Sequence, residues 1–204
     1  MSRSVSIPLR DSVEDAENLK RLRRFCIEIW NLTQNWVSIS SQSCTVLERL
    51  INNKLRIMYA KPDQEQKLVG AAEGTETVVL DHDTKQRLLC EIVKDAESLC
   101  DSVKELERIV NKFRTAKTRV ESWVKLCPTP GPVTANILNT LTDALPDVIE
   151  MYDKEVSARK AGLADLGQWE HRDVFTAVAL TYKFEPFVDS SILSRLYALV
   201  CTEI

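Results

Sequence analysis

The sequence predicts an all-α protein: an elongated antiparallel helical bundle with two long coiled-coil-like helices, a kinked third helix and two short C-terminal helices. Three observations lead there. Apolar residues recur in alternating steps of three and four over two long stretches, the period of a helix face rather than of a strand. Five glycines and seven prolines in 204 residues leave little turn chemistry for the hairpins of a β sandwich or barrel. Hydrophobic residues at 44% and charged residues at 28% exclude wholesale disorder and fit a single helical domain over residues 1–204.

Residues 1–11 are expected to be a flexible N-terminus, and helix one is predicted over 12–59. Its seam runs Leu22, Phe25, Ile29, Leu32, Trp36, Ile39, Ser43, Val46, Leu50, Asn53 and Ile57. Ser12 and Asp15 have the spacing of a capping box, with Asp in place of the usual Glu or Gln. The run Ser38-Ile39-Ser40-Ser41-Gln42-Ser43-Cys44-Thr45 is poor in helix formers and puts Ser43 on the seam, so a local break is expected near 40–44. Residues 60–83 contain Pro62, Gly70 and Gly74, show no period and are mostly acidic in charge, which predicts a mobile acidic linker.

Helix two is predicted over 84–127, starting near Asp83 as its cap and ending before Cys127-Pro128. Leu89, Ile92, Ala96, Leu99, Val103, Leu106, Val110, Phe113, Lys117, Val120 and Val124 keep the heptad rhythm, broken only by Lys117. About 45 residues at about 1.5 Å each make a rod of roughly 65 Å, hence the elongated expectation. The C-terminal helical part, 133–204, opens after a proline cluster that reaches Pro132. A third helix is expected from about Thr134 to Leu166, kinked or divided at Pro146. Two short helices follow near 173–183 and 190–203, capped by Asp173 and by Asp189 or Ser190, with Pro186 between them.

Charge and cysteine usage narrow the function class. Lysine plus arginine number 27 against 30 acidic residues, a net charge of −3, whereas a dedicated nucleic-acid domain is usually basic. Direct nucleic-acid binding is therefore not expected, nor is a membrane span, since no apolar run is long enough. Six cysteines stand singly, without a CxxC pair, beside two histidines, so free thiols are expected rather than zinc or a disulfide framework. No apolar leader follows Met1, which points away from secretion. The five glycines form no phosphate loop. Asp81-His82-Asp83 reads as a polar helix start rather than as metal ligands. A Cys–His nucleophile pair using His171 stays open on the sequence, with His82 in the linker as the one other candidate base. The expectation is no enzyme, no cofactor and no metal site.

What remains are binding features. Lys20-Arg21-Leu22-Arg23-Arg24 is a basic cluster that fits a solvated helix face, a nuclear-import signal or a phosphate-binding patch. Trp30 lies off the seam and Trp36 on it, so helix one has two apolar sides there. Thr129-Pro130 is a minimal proline-directed phosphorylation site, making Thr129 a candidate. The tail from Val178 to Val200 holds more apolar surface than two short helices can bury against each other. Pro186 fixes a corner flanked by Tyr182, Phe187 and Val188, which either clamps the tail onto the long helices or presents an anchor to a partner.

The residues that carry a resemblance lie at both ends of the chain. Val148-Ile149-Glu150-Met151-Tyr152-Asp153-Lys154-Glu155 is followed by Tyr182 and then by Pro186-Phe187-Val188-Asp189. Upstream stand Trp30-Asn31-Leu32 and Trp36. Together they resemble the cyclin-dependent kinase 2-interacting protein family, although the first tryptophan is one residue closer here. The resemblance spans the architecture but specific residues in about a third of the chain. It implies a nuclear, non-enzymatic adaptor that binds cyclin-dependent and replication kinase components and a checkpoint-kinase partner. It further implies membership of a chromatin-associated complex of AAA-type ATPase subunits, acting on replisome proteins and in ribosome maturation. On this reading Trp30, Trp36, Tyr152, Tyr182, Pro186, Phe187 and Val188 are the candidate partner-binding residues. No clear cyclin-docking motif lies in an exposed segment, and a stable homodimer is not expected. An unrelated reading is a structural coiled-coil subunit of a tethering or cytoskeletal complex.

Overall fold

Five helices follow one another: α1 (Leu9–Met58), α2 (His82–Leu126), α3 (Pro132–Ala164), α4 (Arg172–Phe184) and α5 (Ser190–Cys201). The computed structural model describes residues 9–60, 80–126, 130–164 and 171–201, with side chains from residue 16 onward. Among the described residues there is no strand, so the fold is all-α as the heptad period predicts. Thr129 and most of the predicted linker lie outside the described residues.

The helix ends differ from expectation for local reasons. α1 starts at Leu9, so Ser12 lies inside it rather than at its cap. α1 then passes through residues 38–45 without a break. The Ser43 hydroxyl donates to the Ser40 carbonyl at 2.8 Å, and the Thr45 hydroxyl to that of Ser41 at 3.3 Å. These residues turn their polar groups back onto their own helix instead of ending it. α2 is capped by Asp81, not Asp83: the Asp81 carboxylate accepts from the Thr84 amide at 2.9 Å. Hydrogen bonding from the Thr84 side chain, and then from this amide, holds the Asp81 carboxyl below its usual range.

α3 begins at Pro132, whose missing N–H is one that a first helical turn leaves unsatisfied anyway. Pro146 does not divide it. Leu141, Ala144, Leu145 and Val148 around it are fully buried, while Pro146 itself is exposed. Each such leucine or valine contributes about 1.5–3 kcal/mol, together more than the roughly 3 kcal/mol that an interior proline costs. The cap residue of α4 is His171 and makes no side-chain hydrogen bond, so Asp173 sits in the first turn instead of capping it. α5 is capped as expected by Asp189, whose carboxylate accepts from the Ser191 amide at 2.7 Å.

The described residues group into two units, each drawn from several stretches of chain. The first comprises Met1–Val37, Leu106–Glu155 and Phe187–Ile204. In it α1 and α2 run antiparallel, since Phe25 meets Trp123 with ring centroids 5.0 Å apart and Glu28 meets Arg119 at 3.3 Å. Tyr152 of α3 centres the core. Trp36 stacks on it at 3.9 Å and Phe113 at 5.6 Å, so one ring from each of three helices shares a layer. α5 returns antiparallel to α3, with Arg195 beside Asp147 at 3.8 Å and the Phe187 amide donating to Glu155 at 3.4 Å.

The second unit comprises Ser38–Glu105 and Val156–Pro186. Its core gathers Leu47, Leu50 and Ile51 of α1, Ile92 and Leu99 of α2, and Phe175 and Tyr182 of α4, with Leu163 of α3 packed against them. Here too α1 and α2 are antiparallel. Arg49 forms a two-pronged ion pair with the buried carboxylate of Asp95, and Asn53 donates to Glu91 at 3.0 Å. Gly162 lets α4 approach α3 closely: a Cβ there would meet Val178 Cγ1 at 3.3 Å.

Candidate partner-binding surfaces

The seven residues singled out from the sequence separate into those that build the fold and those that face solvent. Trp36 and Tyr152 are fully buried and stacked on each other in the first unit. Tyr182 is 2% exposed in the second unit, with the Arg159 guanidinium over its ring at 4.8 Å. These three are brought into cores, where aromatic stacking adds to area burial. Phe187 is 44% exposed. Phe187 is therefore not a core residue, and the buried member of the corner is Tyr182. Pro186 is exposed, and Val188 and Trp30 are half-buried.

Arg159 is the most constrained polar residue of the second unit. Its guanidinium has no solvent exposure and donates to Ser40 Oγ at 2.6 Å, Glu185 Oε1 at 2.7 Å and Ser43 Oγ at 3.3 Å. Ser40 also donates to the same Glu185 carboxylate. Glu185 closes α4 in a left-handed conformation, φ 44° and ψ 64°, which few residues other than glycine adopt readily. A charge buried with this many partners reads as a structural pin. Cys44, close by, has its thiol pushed up by burial and then by Glu48, which makes it a poorer nucleophile.

Exposed apolar side chains mark a different set of positions. In the first unit α1 presents Ile27 and Val37, 48% and 50% exposed, and the Trp30 ring lies 4.9 Å from that of Tyr197 on α5. In the second unit α4 presents Leu180 and Phe184, the latter 67% exposed with Lys183 over its ring. Sequence reading did not single out Ile27, Val37 or Tyr197, and it took Leu180 and Phe184 only as part of the apolar tail that covers the long helices or a partner. The signal was present for α4: Leu180 and Phe184 are one turn apart, off the face that Phe175, Val178 and Tyr182 bury. Tyr197 lies in the same dense tail but carried no signal of its own.

Among the described residues no three His, Cys, Asp or Glu side chains gather as a metal site would require. Cys26, Cys44, Cys90, Cys100 and Cys201 are free thiols. No described helix is long and apolar enough to cross a membrane. No protein-family model matches the chain, and none of the curated proteins compared with it is significantly similar.

Proposed function

We propose that the protein is a non-enzymatic adaptor like the cyclin-dependent kinase 2-interacting proteins. It links replication kinase components and checkpoint signalling, and it serves in the nucleus as a subunit of a chromatin-associated AAA-type ATPase complex. The observation that carries this reading is the paired motif of the C-terminal third, Glu150-Met151-Tyr152 followed by Tyr182 and Pro186-Phe187-Val188-Asp189. The placement of these residues supports it. Tyr152 and Tyr182 hold the frame, while Phe187 leaves nearly half its surface outside, as an anchor for a partner does. Affinity capture of the full chain from nuclei, followed by mass spectrometry, tests the proposal. AAA-type ATPase subunits and replication factors are expected, and the variant Phe187→Ala should recover less of them while melting close to the wild type. Recovery of vesicle-tethering or microtubule proteins in their place would overturn it.

A further inference from the structure

One face of α1 combines charge and apolar surface in a way the core does not use. Between Asn18 and Leu47 the helix holds a single acidic residue, Glu28, and its carboxylate is engaged by Arg119. The same stretch begins with Lys20, Arg21, Arg23 and Arg24. α5, which lies beside it in the first unit, has Arg195 and no acidic residue. Arg21 is paired with Glu17 and Arg195 with Asp147, so in a chain of net charge −3 the exposed Lys20 and Arg24 are what make this end of the face basic. At about 100° per residue, Lys20, Arg23, Ile27, Trp30, Gln34 and Val37 fall on one stripe. The opposite side, Leu22, Phe25, Ile29 and Trp36, is buried. The stripe is basic over its first two turns and apolar over the next three, and Tyr197, 50% exposed, widens it beside Trp30. From Ile27 to Val37 it extends about 15 Å, the length of three turns of a second helix.

We propose that this face docks an acidic amphipathic helix of a partner protein. The partner's apolar side lies on Ile27, Trp30, Val37 and Tyr197, and its carboxylates face Lys20 at the basic end of the stripe and the exposed Arg24 at its edge, about 40° further round the helix. Ile27, Trp30 and Val37 stand at i, i+3 and i+10, a spacing by helical turns that suits a helix laid along the stripe. Electrostatic complementarity sets the sign of the partner and speeds its encounter. Nucleic acid fits less well, because the basic residues occupy one end and do not alternate with the aromatic ones. A membrane surface fits less well too, because the main apolar side of α1 is already committed to the core. The proposal deepens the adaptor reading and rests on it in taking the partner to be a protein.

The test places a photo-crosslinking amino acid at position 27 or 37 of the full chain in cells and identifies what it captures. The expected product is a crosslink to a net-acidic segment with apolar residues at helical spacing. Lys20→Glu combined with Arg24→Glu should reduce that crosslink about tenfold or more, with an unchanged thermal melt because both side chains are exposed. Should the charge pair perturb the melt, Ile27→Ser read through a crosslinker at position 37 serves as the second variant and should also weaken the crosslink. Crosslinks to lipid, to nucleic acid or to a basic segment, no crosslink, or one indifferent to these substitutions would each overturn the proposal. ATPase recovery is scored separately in the same cells. ATPase without the acidic crosslink sinks the docking face alone; the acidic crosslink without ATPase or replication factors sinks the adaptor reading alone.

Discussion

Arg159 and Glu185 illustrate what individual residues reveal only when folded. Ser43 stands out in the sequence as a polar residue on an apolar seam, and in the structure it and Ser40 face a buried guanidinium. Nothing local marks Arg159 itself, because its partners lie 26, 116 and 119 positions away. Removing one member of a buried pair strands the other, at a cost of about 3–5 kcal/mol. Glu185→Ala should lose stability of that order in chemical denaturation. Glu185→Gly loses the same carboxylate but is at ease at φ 44°, so it should be less damaged, by about 1 kcal/mol. Equal losses would show that the left-handed cap carries no strain. The thiols give a second reading at this scale. Burial raises Cys26 to about 11 from 9.0, so its thiolate is scarce near neutrality. Maleimide at pH 8 should modify the exposed Cys90, Cys100 and Cys201 well before Cys26. The same shift stabilises the fold below the ordinary thiol value of 9.0, and the contribution is lost as the pH rises from there toward 11. Rapid labelling of Cys26 in the folded protein would contradict its burial.

At the scale of elements, the helices themselves were legible because a three-four rhythm is a direct image of a buried face. Leu99, Val103, Leu106, Val110, Phe113 and Val120 are all buried as the rhythm predicts. At its ends the heptad fails: Leu89 and Val124 are exposed, while Leu88 is buried and Trp123 half-buried in their stead. A helix turning every 3.6 residues does not hold a 3.5-residue seam at all points, so neighbours on the wheel take over. Caps were less legible, since Asp81, Asp83, Asp173 and Asp189 are chemically alike and backbone direction alone selects Asp81 and Asp189. Val103→Asp should test the seam in the second unit and Val110→Asp in the first. Each buries an unpaired carboxylate and should lower the melting temperature by many degrees, followed by circular dichroism at 222 nm. A variant that melts like the wild type would place its position outside the core.

At the scale of the whole molecule, the fold class and the binding residues were legible to different degrees. Heptads and scarce turn residues suffice for an all-α chain. They do not separate Trp36 from Trp30, which lie less than two turns apart and differ in exposure only because α2, α3 and α5 cover α1 unevenly. Aromatic residues therefore flagged both the core and the surface, and only tertiary packing sorted them. The exposed Ile27, Val37, Tyr197, Leu180, Phe184 and Phe187, with the half-buried Trp30, are what an adaptor would use, whereas Trp36, Tyr152 and Tyr182 are buried in the cores. The adaptor reading is tested most directly by sedimenting the purified full chain with a purified chromatin-associated AAA-type ATPase complex at micromolar concentration. The account predicts that the chain moves with the ATPase boundary and that Phe187→Ala weakens the association without altering the fold. Two independent boundaries, with the full-length wild-type chain remaining at its own sedimentation coefficient, would contradict it.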